Sequence, residues 1–280
     1  MSEIHEWEKW GRQDPYFAVI TDPRYRSAKL TEESKKVFFD SGRHHALAVL
    51  AECRQRIDPT FKPKRVLDFG CGVGRVLLAF AEVADSVVGV DVSQAMLDEA
   101  RRNCVEHGAT NIELELSDDC LSKLDGGFEL VHSCIVFQHI DIPTGRQLFR
   151  RLVELLAPGG IAAVHVTYGK AYHAERFGQP PVSAVKTATN TAVAAVAASD
   201  PGPLKTIGRW MARGAPRTVI EALPSRAQRL ADPEMNMNPY NLSELAFLMQ
   251  SAGIQRVQAD FTDHGGELGV FLYFRKPAIA

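Results

Sequence analysis

This 280-residue chain is short of several features that would narrow its class at once. Its five cysteines (Cys53, Cys71, Cys104, Cys120 and Cys134) include no C-x-x-C pair, and no histidine is spaced to complete a zinc site with them. That argues against a metal module or a disulfide framework and implies the reduced thiols of a cytoplasmic protein. No apolar run approaches the roughly 20 residues that span a bilayer. The N-terminal MSEIHEWEKWGRQDPY carries charges where a secretory leader needs an apolar core, so secretion is not expected. Net charge is nearly absent as well: a formal charge of -2 gives no overall attraction to nucleic acid or to an anionic membrane.

What is present reads as an ordinary globular chain, 45% hydrophobic and 24% charged. Residues 1–60 begin with scattered aromatics (Trp7, Trp10, Tyr16, Phe17, Tyr25) broken by Pro15 and Pro23, and predict short helical pieces laid over another unit, followed by a helix from Thr31 to Arg56. From Arg65 the pattern becomes strand–helix alternation. Strands are predicted at Arg65–Phe69, Ser86–Asp91, Ile112–Leu116, Phe128–Phe137 and Ile161–Thr167, with helices at Arg75–Ala84, Ser93–His107 and Pro143–Leu156. Such alternation implies a parallel sheet with helices on both faces and right-handed crossovers, with ligands gathered at the carboxyl ends of the strands.

Residues 169–238 break this rhythm and predict a helical insertion after the fifth strand. Within it, residues 201–231 carry Lys205, Arg209, Arg213, Arg217, Arg226 and Arg229 against the single acid Glu221. That stretch reads first as a solvated helix face, and second as a peripheral contact for an acidic acceptor or a membrane surface. A nucleic-acid channel would show a wider basic field with exposed aromatics, so no nucleic-acid partner is expected. Residues 239–280 resume with a helix over 241–254 and two strands, 255–261 and 269–275, that complete the sheet.

The most informative stretch is VLDFGCGVGR at 66–75. A dinucleotide fingerprint requires G-x-G-x-x-G, but Arg75 stands at its third glycine position, because the third glycine comes early at Gly74. A phosphate-binding P-loop is excluded, since no G-K-[ST] follows. What stands here is Asp68-x-Gly70-x-Gly72-x-Gly74, and Asp91 closes VVGVD 17 residues after Gly74. LSDD, FELVHSCIVFQHI and LLAPGG then follow in order. The series resembles class I methyltransferases dependent on S-adenosylmethionine, closely over about 65–168 and in outline over 240–276. The resemblance implies an α/β, doubly wound, mostly parallel seven-stranded sheet of the Rossmann-like methyltransferase type, with the N-terminal cap and the insertion added to it.

The resemblance also implies a site for S-adenosylmethionine, released as S-adenosylhomocysteine. Gly70, Cys71 and Gly72 would pass under the amino-acid end of the cofactor, with Asp68 tethering the loop and the ligand amine through water. Asp91 would accept both ribose hydroxyls, as an acceptor-only carboxylate can. Val92 and Met96 would pack on the adenine. Either Asp118 or Asp119 would accept from its amino group, with a backbone N–H near Cys120 reading a ring nitrogen. Carbonyls around Ser133 and Cys134 would meet the ammonium.

The acceptor is expected to be a small or medium organic molecule, methylated on oxygen in the first reading and on nitrogen in the second. His139 has two readings, a general base or a structural partner of the following helix, and Gln138 shares both. Tyr16 and Arg43 are candidates for the methionine end, and Tyr168 for the acceptor cleft; His165 reads as a core residue and His264 as a turn residue. No metal is indicated. Two rival classes remain at this stage: a protein of the same fold that binds the cofactor without transferring methyl, and a nicotinamide-dependent oxidoreductase.

Overall fold

The alternation that starts at Arg65 builds one seven-stranded sheet, seen in a computed structural model that describes residues 3–170, 232–233, 235–264 and 266–278. The strands are β1 (Arg65–Phe69), β2 (Ser86–Asp91), β3 (Ile112–Leu116), β4 (Phe128–Ser133), β5 (Leu156–Lys170), β6 (Val257–Asp263) and β7 (Glu267–Arg275). Their spatial order is β3-β2-β1-β4-β5-β7-β6. β1 to β5 run parallel, while β7 pairs antiparallel with both β5 and β6. The chain order reverses between β1 and β4, which is where an open sheet of this kind splays to admit a ligand.

Because side chains alternate across a strand, the sheet feeds two cores. Leu67, Val131, Ala162 and Val164 face one way, toward α6 (Ile142–Leu155) and α7 (Leu242–Ser251). Val66, Leu130, Ile161 and Ala163 face the other, toward α3 (Glu32–Arg56), α4 (Leu77–Ala81) and α5 (Gln94–Glu106). Local signals set several boundaries. Thr31 caps α3 through a reciprocal pair with Ser34, Ser93 caps α5 through the Met96 N–H, and Asp141 caps α6 through the Thr144 N–H with Pro143 in the first turn.

The N-terminal segment forms a third cluster. α1 (Glu3–Gln13), α2 (Pro15–Val19) and a 3-10 turn at Pro23–Tyr25 bury Trp10, Tyr16, Phe17 and Tyr25 against Phe38, Val73 and Met96. Arg26 holds this cap to the segment returning after residue 231: its guanidinium stacks 3.5 Å over the Phe17 ring and pairs with both Asp14 and Asp232.

Three expectations about elements change. β4 ends at Ser133 rather than Phe137, because Ile135 takes φ +60° and a residue in that conformation cannot continue a ladder; Phe137–His139 then coils into a 3-10 turn. The helix after the glycine loop is confined to Leu77–Ala81. β5 begins at Leu156, before PGG, and takes up the three residues as an irregularity in its pairing with β4. The helical insertion expected at 169–238 lies outside the described residues except at its ends, as does the basic stretch 201–231 up to Ala231.

Candidate functional site

A cleft of about 720 Å³ opens at the carboxyl ends of β1, β2 and β4, within the roughly 300–1,000 Å³ usual for small-molecule sites. Its floor is the glycine loop. Gly70 sits at φ +75°, and a Cβ there would come within 2.3 Å of the Val136 side chain, so only glycine lets the loop after β1 and the turn after β4 approach this closely. The loop is pinned from beneath, with the Gly70 and Cys71 N–H groups donating to the Val90 carbonyl at 2.8 and 2.9 Å.

Asp91, at the end of β2, is held by the backbone on both oxygens. The Gly72 N–H donates to Oδ2 and the Ser93 N–H to Oδ1, each at 2.9 Å. Burial pushes its carboxyl up to about 6, against the pull of these backbone donors. Each oxygen keeps a lone pair, and the residue lines the cleft beside Val92 and Met96. The result is an oriented acceptor pair next to an apolar wall, which suits a diol attached to a flat ring.

Asp118 and Asp119 also line the cleft but differ in what they have left to offer. Asp118 accepts from the Cys120 and Ser122 N–H groups and from the Ser122 hydroxyl, and the Ser122 hydroxyl and N–H bonds lower its carboxyl to about 2. Asp119 makes no hydrogen bond or ion pair with the described residues. The Cys120 N–H is already spent on Asp118.

At the far end, His139 stands beside Trp7, their rings 4.9 Å apart and edge-on. A connected set of hydrogen bonds fixes its tautomer. The Thr167 hydroxyl donates to Gln138 Oε1 at 2.9 Å, which turns the Gln138 amide nitrogen toward His139 Nε2 at 3.1 Å. His139 Nδ1 lies 2.8 Å from the Asn236 carbonyl, an acceptor, so Nδ1 carries the proton and Nε2 the lone pair. Burial lowers the imidazole's pKa, keeping it neutral at pH 7. His264 and Glu267 reach the cleft from the β6–β7 turn, with Glu267 paired to Lys170 at 2.9 Å.

Of the residues expected from sequence, the cleft gathers Gly70, Gly72, Asp91, Val92, Met96, Asp118, Asp119, Cys134, Gln138 and His139. The others fall elsewhere. Tyr16 is in the core, its hydroxyl donating between Glu99 at 2.7 Å and Asn103 at 2.8 Å, because the aromatic cap folds down onto α5. Arg43 is exposed on α3 and pairs with Glu82 at 2.9 Å, facing away from the cleft. Tyr168 packs edge-on against Phe261, ring centroids 5.8 Å apart. Cys71 and Ser133 are buried, and Cys120 is exposed outside the cleft lining. Asp68 is buried and turned away from the cleft, with Oδ1 2.7 Å from His132 Nδ1; His132 Nε2 lies in turn 2.9 Å from His45 Nε2. His165, read as a core residue, is buried with Nε2 3.0 Å from the Thr262 hydroxyl. The sequence reading did not include Trp7, Thr21, Arg75, Ile135, Met235 or Met237, which the fold adds to the lining. Among the described residues no cluster of His, Cys, Asp and Glu could hold a metal ion, and no helix is long and apolar enough to cross a membrane.

Similarity to known proteins agrees with this geometry. Residues 66–160, from β1 into β5, match the family described as "Methyltransferase domain". Over these residues the chain is similar to a class I methyltransferase domain. Its relatives include the ubiquinone biosynthesis O-methyltransferases of Coxiella burnetii, 32% identical over 36% of this chain and 42% of theirs, and of Thiobacillus denitrificans, 33% identical over 35% and 41%. The chain thus spans less than half the length of the curated relatives it matches. Similar folds are found in an N-methyltransferase of Bradyrhizobium japonicum (TM-score 0.55, 13% identity, 99% of this chain and 100% of that one) and in magnesium protoporphyrin IX methyltransferase of Synechocystis (TM-score 0.52, 15% identity, 88% and 89%). Both of those proteins were solved with S-adenosylhomocysteine.

Proposed function

We propose that this protein transfers a methyl group from S-adenosylmethionine to an oxygen of a small organic acceptor. The observation that carries this reading is Asp91, whose two oxygens are oriented by the Gly72 and Ser93 N–H groups at the head of a cleft floored by the glycine loop. The lining fits the cofactor. Asp91 suits the ribose diol, Val92 and Met96 the adenine faces, and Asp119, whose carboxylate has no partner among the described residues, the adenine amino group. Bound S-adenosylmethionine supplies the activated methyl group, carried on a sulfonium.

The chain's own part in the reaction is to position the acceptor, exclude water and take a proton. His139 Nε2, which carries the lone pair, is the group that would remove the hydroxyl proton, the acceptor oxygen replacing the Gln138 amide as its partner. The Asn236 carbonyl holds the imidazole in that tautomer and stabilises the imidazolium that forms. Trp7, Met235 and Met237 give this end of the cleft an apolar, polarizable wall suited to a flat organic acceptor. The O-methyltransferase name of the relatives supports oxygen over nitrogen.

The test is calorimetric titration with S-adenosylmethionine, S-adenosylhomocysteine and NAD, followed by a methyl-transfer screen over phenolic and aliphatic alcohols. Binding of both adenosyl ligands and not NAD, with methyl ether formed on one acceptor class, is the expected result. Binding of NAD alone would overturn the reading.

A further inference from the structure

Among the described residues, five carboxylates line the cleft: Asp91, Asp118, Asp119, Asp141 and Glu267. Four have a use. Asp91 and Asp118 accept from backbone N–H groups, Asp141 caps α6 through the Thr144 N–H at 3.1 Å, and the cofactor reading gives Asp119 to the adenine amino group. Glu267 is left over.

The β6–β7 turn fixes where it stands. The Gly266 N–H donates to Asp263 Oδ1 at 2.6 Å and the His264 N–H to the Glu267 carbonyl at 3.0 Å, with Gly266 at φ +97°. Glu267 then falls opposite Lys170 in the register of β5 and β7, and Lys170 Nζ lies 2.9 Å from Oε1. Oε2 is buried and has no hydrogen-bond partner among the described residues. An ionised carboxylate has about four acceptor positions, and burying one short of partners is costly. The last torsion of a glutamate is broad and two-fold, so one oxygen can turn to the cleft while the other keeps Lys170.

The Lys170 ammonium balances the Glu267 charge, so the pair exerts no net attraction on a cation and suits a neutral donor such as a hydroxyl. Its place along β5 gives a length. Thr167 donates to Gln138 beside His139, and Lys170 comes three residues later, which offsets Glu267 from the His139 end by roughly 10 Å of strand.

We propose that Glu267 is a specificity residue, selecting acceptors that carry a second hydroxyl remote from the one that is methylated. This rests on the methyl-transfer reading above and deepens it. The remote hydroxyl donates to the Glu267 carboxylate, and the acceptor is thereby held at both ends, with its other oxygen directed to His139.

The test compares two rigid acceptors, 4,4′-dihydroxybiphenyl and 4-hydroxybiphenyl, which differ only in the hydroxyl at the far end. Wild type should favour the diphenol in kcat/KM by about 10–100-fold, the range of a hydrogen bond to a charged group and more than two equivalent hydroxyls give statistically. Glu267→Ala should erase that margin by slowing the diphenol alone, with the affinity for S-adenosylhomocysteine unchanged, and Glu267→Gln, which keeps an acceptor oxygen, should recover part of it. An equal loss on both phenols in the two variants would mark Glu267 as structural and overturn the proposal. So would a wild type indifferent to the second hydroxyl, or one that binds S-adenosylhomocysteine and methylates neither phenol. A wild type that does not bind S-adenosylhomocysteine would overturn the cofactor reading itself, an outcome distinct from the other three.

Discussion

His139 Nδ1 lies 2.8 Å from the carbonyl oxygen of Asn236, a residue 97 positions away that returns to the sheet just before α7. The contact decides which ring nitrogen is available, because a carbonyl only accepts and Nδ1 must therefore donate. If His139 is the base, His139→Ala should lower kcat by about 10²–10⁴-fold and leave the affinity for S-adenosylhomocysteine unchanged. Burial lowers the His139 pKa, so the rising limb of kcat against pH should fall on the acid side of 6.5, the ordinary value, with activity constant above it. Steady-state kinetics across pH, paired with calorimetry on the variant, checks both. An unaltered kcat in His139→Ala would leave the ring a structural role only.

The carboxyl of Asp91 titrates near 6, raised by burial, and a hydroxyl pair needs it ionised. Cofactor affinity should therefore strengthen as pH rises through about 6 and level off above it. The stability linkage of the ligand-free protein has the opposite sign. A folded-state pKa raised above 3.8 means the folded chain holds the extra proton between 3.8 and about 6, so this group's contribution is full below that window and lost as pH rises through it. Titrations with S-adenosylhomocysteine from about pH 5 to about pH 8, repeated on Asp91→Ala, separate the two. The variant should bind at least about a hundredfold more weakly and show no step near 6, since two hydroxyl bonds to a carboxylate are lost.

Asp118 and Asp119 should give opposite phenotypes despite being adjacent. Asp118 is committed to the Cys120 and Ser122 donors of its own loop, so Asp118→Ala should lower thermal stability and weaken every adenosyl ligand together. Asp119 has no partner among the described residues, so Asp119→Ala should erase the preference for adenine over hypoxanthine in otherwise identical ligands and leave the melting temperature in place. Titration with S-adenosylhomocysteine and its inosine counterpart reads the first effect, and thermal denaturation the second.

These residues also show what a sequence can reveal about such a site. Asp91 and the Ser93 cap were legible because the feature that places them is local: a strand end, an N-cap and a glycine loop at fixed spacing. Tyr16 and Arg43 were not. Whether an aromatic in a capping segment faces the cleft or the core depends on how α2 settles against α5, and nothing in PYFAV encodes that. Arg43 and Arg75 are both arginines, and only the packing of α3 against the loop after β1 sends one to solvent and the other to the cleft. The early end of β4 has no sequence signal either. Ile135 is β-branched, the residue type least expected at φ +60°, and it holds that conformation where Cys134, Ile135 and Val136 line the cleft.

Tyr240 joins the returning segment to the turn that carries His139, and its removal should be read at both places. The ring is buried, its hydroxyl donates to the Ile140 carbonyl at 2.8 Å, and its N–H donates to the Thr167 carbonyl at 2.7 Å. α6 yields room for it at Gly145, where a Cβ would lie 1.8 Å from the Tyr240 hydroxyl oxygen. Tyr240→Phe should cost about 1–2 kcal/mol by stranding a carbonyl, and Gly145→Ala about 1–3 kcal/mol by displacing the ring. The two should not add. Phenylalanine removes the atom that meets the new methyl group first, so the double variant should be more stable than the sum of the single losses predicts. Denaturant unfolding of the four proteins measures that coupling. Strict additivity would mean that the Tyr240 hydroxyl and Gly145 are not in contact.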